Sequence, residues 1–382
     1  MKKIGIATPF RVANYGTKLQ AYAISEYLRI TSNGETEIIN YSPSDDHRLH
    51  VIFRKSFSLK RNKARLQKIL SKRDVNKNID KRKQTERIQS INKFDNLLPL
   101  GNKISSWSEL KASSDKYDCV VCGSDQIWLP DNLKDQYYTL EFCDDKIKKG
   151  SYAASLGVEV LNTKQKKAYQ KFLEKLDFIS VREDIGRDLL KSFFQKKEIT
   201  WVCDPTFLLT KQQWSDIEQR PEFLNKVKTG YIFCYFLGTN EKYRQTVYDY
   251  ARKNNLCILS VANFKGLCEA DTKLTDIQLY NLEVNEFLYL IHNAQMVCTD
   301  SMHATIFSII FETNFVTFER FNKNDQDSRN SRIYSLLQVM GLEDRLHIDG
   351  AIPEEQIEFE KVTKAREAYV TFSQNYIMEE IV

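Results

Sequence analysis

The chain has 382 residues, 42% of them hydrophobic and 28% charged, which is enough apolar material for two packed cores and excludes an intrinsically disordered protein. Its formal charge is +5, yet residues 54–93 hold 15 Lys and Arg against three Asp and Glu, a net +12 that leaves −7 on everything else. The sequence therefore describes an acidic body with one basic insert.

In chain order, residues 3–8 (KIGIAT) read as an opening strand, and 17–31 carry Leu19, Tyr22, Ala23, Tyr27 and Ile30 on one helical face. Between them, Arg11 to Gly16 form the first strand-to-helix loop. Residues 37–41 (EIINY) read as the next strand. The basic insert follows, and its apolar residues are sparse enough to predict a helical arm or excursion outside the core. YDCVVCGSDQIW (117–128) reads as a strand entering a Gly-Ser-Asp turn. KGSYAASLG comes next, then a helix over 164–176, the strand end FISVRE, a helix over 185–194, and ITWVCDPTFLL.

A second series begins near Lys226: strand 231–238, helix 241–253, strand 257–262, helix 286–294, strand 296–300, helix 302–312 and strand 315–319. Strands alternating with helices predict parallel sheets with right-handed crossovers. Two such series, divided near 210–228, predict an α/β protein of two Rossmann-like domains facing a cleft, 1–210 with the insert and 211–382.

In open parallel sheets, ligands bind at the carboxyl ends of strands. The sharpest polar cluster there is Asp300, Ser301 and His303, between the apolar strand MVCTD and the apolar helix MHATIFSIIF. Free amides and the helix dipole would attract a phosphate or carboxylate, although the same residues can equally act as a plain helix cap. Arg182 ends FISVRE and can grip an anion bidentately, or pair with Glu183 or Asp184. Asp204 precedes Pro205 and reads as a turn or cap. Ser124, Asp125, Gln126 and Trp128 suit a sugar, whose hydroxyls bond polar side chains while its apolar face stacks on an indole; a capped helix with a core tryptophan is the alternative. One glycine there falls far short of a nucleotide-binding fingerprint.

The eight cysteines lie mostly inside apolar runs, as small buried hydrophobes of a reducing compartment. Cys119 and Cys122 form one C-x-x-C with no second pair and no nearby His, so no metal site is expected. The opening MKKIGIATPF has too short an apolar stretch for a signal peptide, and no run reaches the roughly 18 apolar residues of a membrane span. A cytoplasmic protein is expected. In or beside the insert the only aromatics are Phe53, Phe57 and Phe94, too few to predict a base-stacking nucleic-acid surface.

Seven stretches in order resemble the polysaccharide pyruvyl transferase family: the Asn14 to Ala23 opening, YDCVVCGSDQIW, SYAASLG, ISVRE, CDPTFLL, TDSMHATIFSIIF, and SRIYSLL with GLEDR. They span nearly the whole chain, and the insert is the main unmatched region. The resemblance implies a GT-B-like fold and transfer of a pyruvyl group from phosphoenolpyruvate to a sugar of a bacterial surface polysaccharide, such as an exopolysaccharide or capsule, or of its lipid-linked precursor. A cyclic ketal forms and phosphate leaves, with no metal or organic cofactor implied.

By the same resemblance, His303 and Asp125 are the catalytic pair, and Arg182, His303, Ser301 and Met302 hold the donor. Asn14, Gln126 and Trp128 contact the acceptor. Some relatives carry Arg-Leu-His where this chain has Ser301-Met302-His303, so one cation is missing, and Arg11, Arg320, Arg329 and Arg332 are available to compensate. The insert is expected to make peripheral contact with anionic membrane at its inner face. Two other functions fit the architecture: a glycosyltransferase using a nucleotide sugar, and a non-catalytic glycan- or lipid-carrier-binding component of a surface-polymer assembly complex.

Overall fold

The computed structural model describes residues 2–42, 81–263, 268–321, 329–347 and 352–382. Within them the strands form two six-stranded sheets. The first is ordered β2-β1-β3-β4-β5-β6, from β1 (Lys3–Ala7), β2 (Glu35–Ile38), β3 (Cys119–Cys122), β4 (Lys148–Ala154), β5 (Phe178–Val181) and β6 (Thr200–Trp201). The second is ordered β12-β11-β10-β7-β8-β9, from β7 (Tyr231–Tyr235), β8 (Cys257–Val261), β9 (Ile277–Leu279), β10 (Met296–Thr299), β11 (Phe315–Phe318) and β12 (Leu346–His347).

Every ladder in both sheets is parallel. Central strands such as CVVC, FISV and MVCT are buried on both faces, which is why they read as unbroken apolar runs. Strand direction reverses its progression between β1 and β3 in the first sheet and between β7 and β10 in the second. These two switch points open crevices at the carboxyl ends, and the sequence puts Gly123–Asp125 at one and Asp300–His303 at the other.

The two halves pack directly. The Tyr15 ring stacks on Phe287 at 4.4 Å, and its hydroxyl donates to the Leu282 carbonyl at 3.0 Å. The C-terminal helix Phe359–Glu380 returns to the first sheet, where Ser373 Oγ accepts from the Cys203 amide at 2.9 Å and the Tyr369 hydroxyl donates to the Val202 carbonyl at 2.9 Å. From the same helix, Arg366 donates to the carbonyls of Ile309 and Ile310.

One expectation needs correction here. The end of the basic insert is not an excursion: the helix Lys81–Asn92 buries Ile91 in the main core, and Phe94 follows it there. Arg87 is only 6% exposed, close to Tyr15, Tyr235 and Tyr280. A helix anchored at Ile91, with Phe94 in the turn just past its end, needs only a narrow apolar stripe, and its charged side chains mask that stripe. Residues 54–80 of the insert lie outside the described residues. Among the described residues, no helix is long and apolar enough to cross a membrane.

Candidate functional site

The site forms where the two switch points meet. Gly16, in the first turn of the helix Tyr15–Thr31, lies against His303: a Cβ at residue 16 would stand 2.2 Å from His303 Nδ1 and 2.4 Å from its Cγ. Only glycine permits that approach, so a loop of the first half and a helix start of the second are brought into contact by the absence of one methyl group.

His303 belongs to the first turn of the helix Met302–Phe311, whose N-cap Ser301 makes no side-chain cap. Nor does Asp300 cap it, since its carboxylate accepts from the amides of Leu237 and Gly238, both at 2.7 Å, and so ties the β7 end to the β10 end. The helix start is thus left with its dipole and amides uncapped by side chains. Ser301 donates its own amide to Thr299 Oγ1 at 3.0 Å.

His303 Nε2 has no hydrogen-bond partner among the described residues and stands 3.7 Å from Asp204 Oδ2. Burial, reinforced by Arg182, holds its pKa below the ordinary 6.5 despite the pull of Asp204, which favours the neutral ring. Asp204 is tied at both oxygens. Oδ1 accepts from the Thr206 amide at 3.0 Å and the Thr206 hydroxyl at 2.7 Å, while Oδ2 accepts from Arg182 Nη1 at 2.7 Å.

Arg182 is paired with acids of the protein itself, Glu183 among them. Its side chain is 0% exposed and is enclosed by Asp204 at 2.7 Å, Glu183 at 3.4 Å and Asp125 at 3.6 Å. The acid flanking it in sequence and two acids distant in sequence neutralise it, so it organises carboxylates, and only its Nη2 lacks a hydrogen bond among the described residues.

Asp125 sits in the left-handed region at φ 68°, after Gly123, whose φ of 141° and close approach to the Tyr152 carbonyl exclude a side chain. Its Oδ2 accepts from Thr17 Oγ1 at 3.1 Å and its Oδ1 from the Gln126 amide at 2.8 Å. Burial opposes the charge on Asp125 and on Asp204. For both, Arg182 and His303 outweigh burial and hold the carboxyl below its ordinary range.

Gln126 is at the site: Oε1 accepts from Arg329 at 2.7 Å across the cleft, and Nε2 is buried without a partner among the described residues. Asn14, the N-cap of the helix Tyr15–Thr31, lies two residues before Gly16 and spends its Oδ1 on the Thr17 amide at 3.2 Å. Met302, 7% exposed, starts the helix.

Trp128 is not at the site. It is 0% exposed, packs on Phe172 at 5.2 Å, and donates its indole N–H to the Tyr138 carbonyl at 3.1 Å, so it is a core residue with a satisfied polar tip.

Sequence reasoning underrated Asp204, whose only signal is the CDPTFLL motif, because its partners Arg182 and His303 are distant in sequence. Cys119 and Cys122 are both 0% exposed in β3, and burial pushes the Cys119 thiol up to about 12. Among the described residues, no group of three or more His, Cys, Asp or Glu is placed so that it could hold a metal ion.

A sequence profile of the polysaccharide pyruvyl transferase family matches residues 14–320. No curated protein matches the sequence. Among solved structures, the chain is similar to the UDP-GlcNAc 2-epimerase of Neisseria meningitidis bound to UDP-GlcNAc, with a TM-score of 0.54 and 11% identity over 100% of this chain and 99% of that one. It is also similar to the UDP-GlcNAc 2-epimerase of Methanocaldococcus jannaschii, at 0.52 and 14% over 97% and 93%. At these identities the likeness is one of fold, the two-domain GT-B arrangement.

Proposed function

The chain belongs to the polysaccharide pyruvyl transferase family, and from that premise we propose that it transfers a pyruvyl group from phosphoenolpyruvate to a sugar residue of a surface polysaccharide or its lipid-linked precursor. Two sugar hydroxyls add to the enol carbon and a cyclic ketal closes. One hydroxyl proton ends on the former methylene carbon, the other leaves with phosphate, and no oxidant or reductant is needed.

The observation that carries this reading is the placement of His303. Its Nε2 lacks a hydrogen-bond partner among the described residues, it faces the ionised Asp204 at 3.7 Å, and it belongs to a helix start that no side chain caps. A neutral imidazole can take a proton from the attacking hydroxyl, and a bound phosphate would raise its pKa and let it return a proton to the methylene carbon. Asp125 and Asp204, held as carboxylates, set negative charge beside the oxocarbenium-like centre that forms on protonation. The helix amides at Met302 and His303 face the donor's anionic end. Gln126 and Asn14 contact the acceptor.

The reaction is tested with phosphoenolpyruvate and a panel of lipid-linked glycans, reading phosphate release together with the acceptor's gain of mass. A UDP-sugar panel run in parallel tests glycosyl transfer, and turnover there without phosphoenolpyruvate consumption would replace the proposal. The basic residues of 54–93 are proposed to draw the protein to an anionic carrier or membrane, and a charge-neutralised insert should then lose binding to anionic vesicles.

A further inference from the structure

Gln126 is held by its backbone and by one end of its side chain. Its amide N–H donates to Asp125 Oδ1 at 2.8 Å, and its carbonyl accepts from Asn132 Nδ2 at 2.9 Å. From the other half of the molecule, Arg329 Nη1 donates to Gln126 Oε1 at 2.7 Å. Arg329 has a firm base, because the next residue, Asn330, donates to the Phe321 carbonyl at 2.7 Å and accepts from the Phe321 amide at 3.3 Å.

A guanidinium carries donors and no acceptor, so the atom it meets on the glutamine is the oxygen. The side-chain amide is thereby fixed with Nε2, a donor only, turned the other way. Nε2 is buried beside Gly157, where a Cβ would stand 2.8 Å from it, and it has no hydrogen-bond partner among the described residues. Ser155, two residues before that glycine, is 0% exposed, and its Oγ also lacks a partner among the described residues. The Ser155 backbone is tied to the same loop: its amide donates to the Asp125 carbonyl at 3.0 Å, and its carbonyl accepts from the Trp128 amide at 3.1 Å.

An oriented donor and a hydroxyl, both unpaired, thus share one seam just past the carboxyl ends of β3 and β4. Buried polar groups left unpaired are costly, and a ligand oxygen that meets them recovers their hydrogen bonds. Both groups are neutral, and the buried cation beside Asp125, Arg182, already faces three acids. The seam therefore suits an uncharged oxygen better than a phosphate or carboxylate, which would need a cation of its own. A sugar hydroxyl accepts from Nε2 and still has a proton to donate.

We propose that Arg329 is a positioning residue: it orients the Gln126 amide so that Nε2, together with Ser155 Oγ, receives a hydroxyl of the acceptor sugar. The assignment rests on the pyruvyl-transfer reading of this site, which supplies the sugar.

The test uses full-length wild type, Q126E, R329M, R329K, S155A and the double variant Q126E/R329M. Methyl galactoside and methyl N-acetylmannosaminide, titrated by NMR, are uncharged probes whose affinity a change in net charge alone leaves unaltered; phosphoenolpyruvate is titrated by calorimetry. Q126E keeps an oxygen for Arg329 and puts a second oxygen where the donor was, so it should bind glycoside at least about 10-fold more weakly. R329M lets the amide turn either end to the sugar and should weaken binding by about 2- to 5-fold. R329K still donates to Oε1 and should match wild type. The double variant should bind no more weakly than Q126E, because Arg329 acts through Gln126. S155A should bind glycoside more weakly while melting no lower than wild type, since it removes an unpaired buried hydroxyl.

Unchanged glycoside affinity in Q126E would overturn the assignment and leave the pair as a strut between the halves. So would a further loss in the double variant, or a wild type that binds neither glycoside. A loss of phosphoenolpyruvate binding in R329M larger than its loss of glycoside would also overturn it, making Arg329 a donor contact. If the glycosides follow the expected pattern while phosphoenolpyruvate is neither bound nor consumed, the pyruvyl-transfer reading fails and the role of Arg329 stands.

Discussion

One oxygen of Asp204 serves both halves of the molecule: Oδ2 accepts a 2.7 Å hydrogen bond from Arg182 of the first sheet and lies 3.7 Å from Nε2 of His303, on a helix of the second. That carboxylate stands within reach of both the Arg182 guanidinium and the His303 imidazole. It also couples proton chemistry at His303 to the packing of the two halves.

Replacing His303 with Asn should remove the proton carrier while keeping a polar side chain. Turnover should fall by about 10²- to 10⁴-fold, with a folded protein by circular dichroism. Steady-state kinetics at saturating phosphoenolpyruvate checks this, and wild-type turnover would contradict the role.

Gly16→Ala tests the contact between the halves while replacing no titrating side chain. A Cβ 2.2 Å from His303 Nδ1 and 2.9 Å from its Cβ collides with the body of the side chain, so the helix start or the Asn14–Gly16 loop must move. Stability should drop by about 1–3 kcal/mol, and turnover should fall more steeply than stability accounts for. Urea unfolding and kinetics on one preparation separate the two effects.

The pH dependence of stability follows from the direction of the His303 shift. Its folded pKa lies below the ordinary 6.5, so the unfolded chain binds more protons between those two values and stability rises with pH across that window. Lowering pH from neutrality through 6.5 should therefore destabilise the wild type, and H303N should show a shallower loss. Asp125 and Asp204 shift below the ordinary carboxyl value of 3.8, so their contribution is present above it and disappears only as pH falls further. Unfolding free energies measured from pH 4.5 to 7.5 in both proteins would show the difference between the slopes.

Asp204→Asn should destabilise the fold by about 1.5–3 kcal/mol, because Arg182, 0% exposed, loses its shortest ion pair while Glu183 and Asp125 remain beside it. Trp128→Ala should also cost about 3–5 kcal/mol, as a core truncation. Trp128→Phe should retain glycan binding, since the indole is enclosed by protein. A selective loss of glycan affinity in Trp128→Phe would return that residue to the acceptor site.

Much of this was legible because parallel strands buried on both faces print as short apolar runs, and CVVC, FISV, YIFCY, MVCT and FVTF each became a strand. The two-residue strand at Leu346–His347 and the edge strand Ile277–Leu279 carry too few residues to show a period. The C-terminal helix reaches the first sheet through Ser373 and Tyr369, polar contacts with Cys203 and Val202 at separations of 170 and 167 residues, which no local pattern announces.

At the site, the residue types at strand ends pointed to His303 and Asp125, but not to their wiring. Arg182 reads as an anion grip until its distant partners Asp204 and Asp125 are placed beside it. Trp128 reads as a stacking platform because an indole looks the same in sequence whether it faces a sugar or Phe172.

The most direct test of the account is the reaction run in deuterium oxide with phosphoenolpyruvate and a glycan acceptor, with mass spectrometry of the product and phosphate assay together. Pyruvyl transfer through protonation of the methylene carbon predicts an acceptor carrying a ketal whose methyl group holds one solvent deuterium, with one phosphate released per ketal and both lost in H303N. A product without solvent deuterium in that methyl group, or phosphoenolpyruvate left intact while any acceptor is modified, would contradict it.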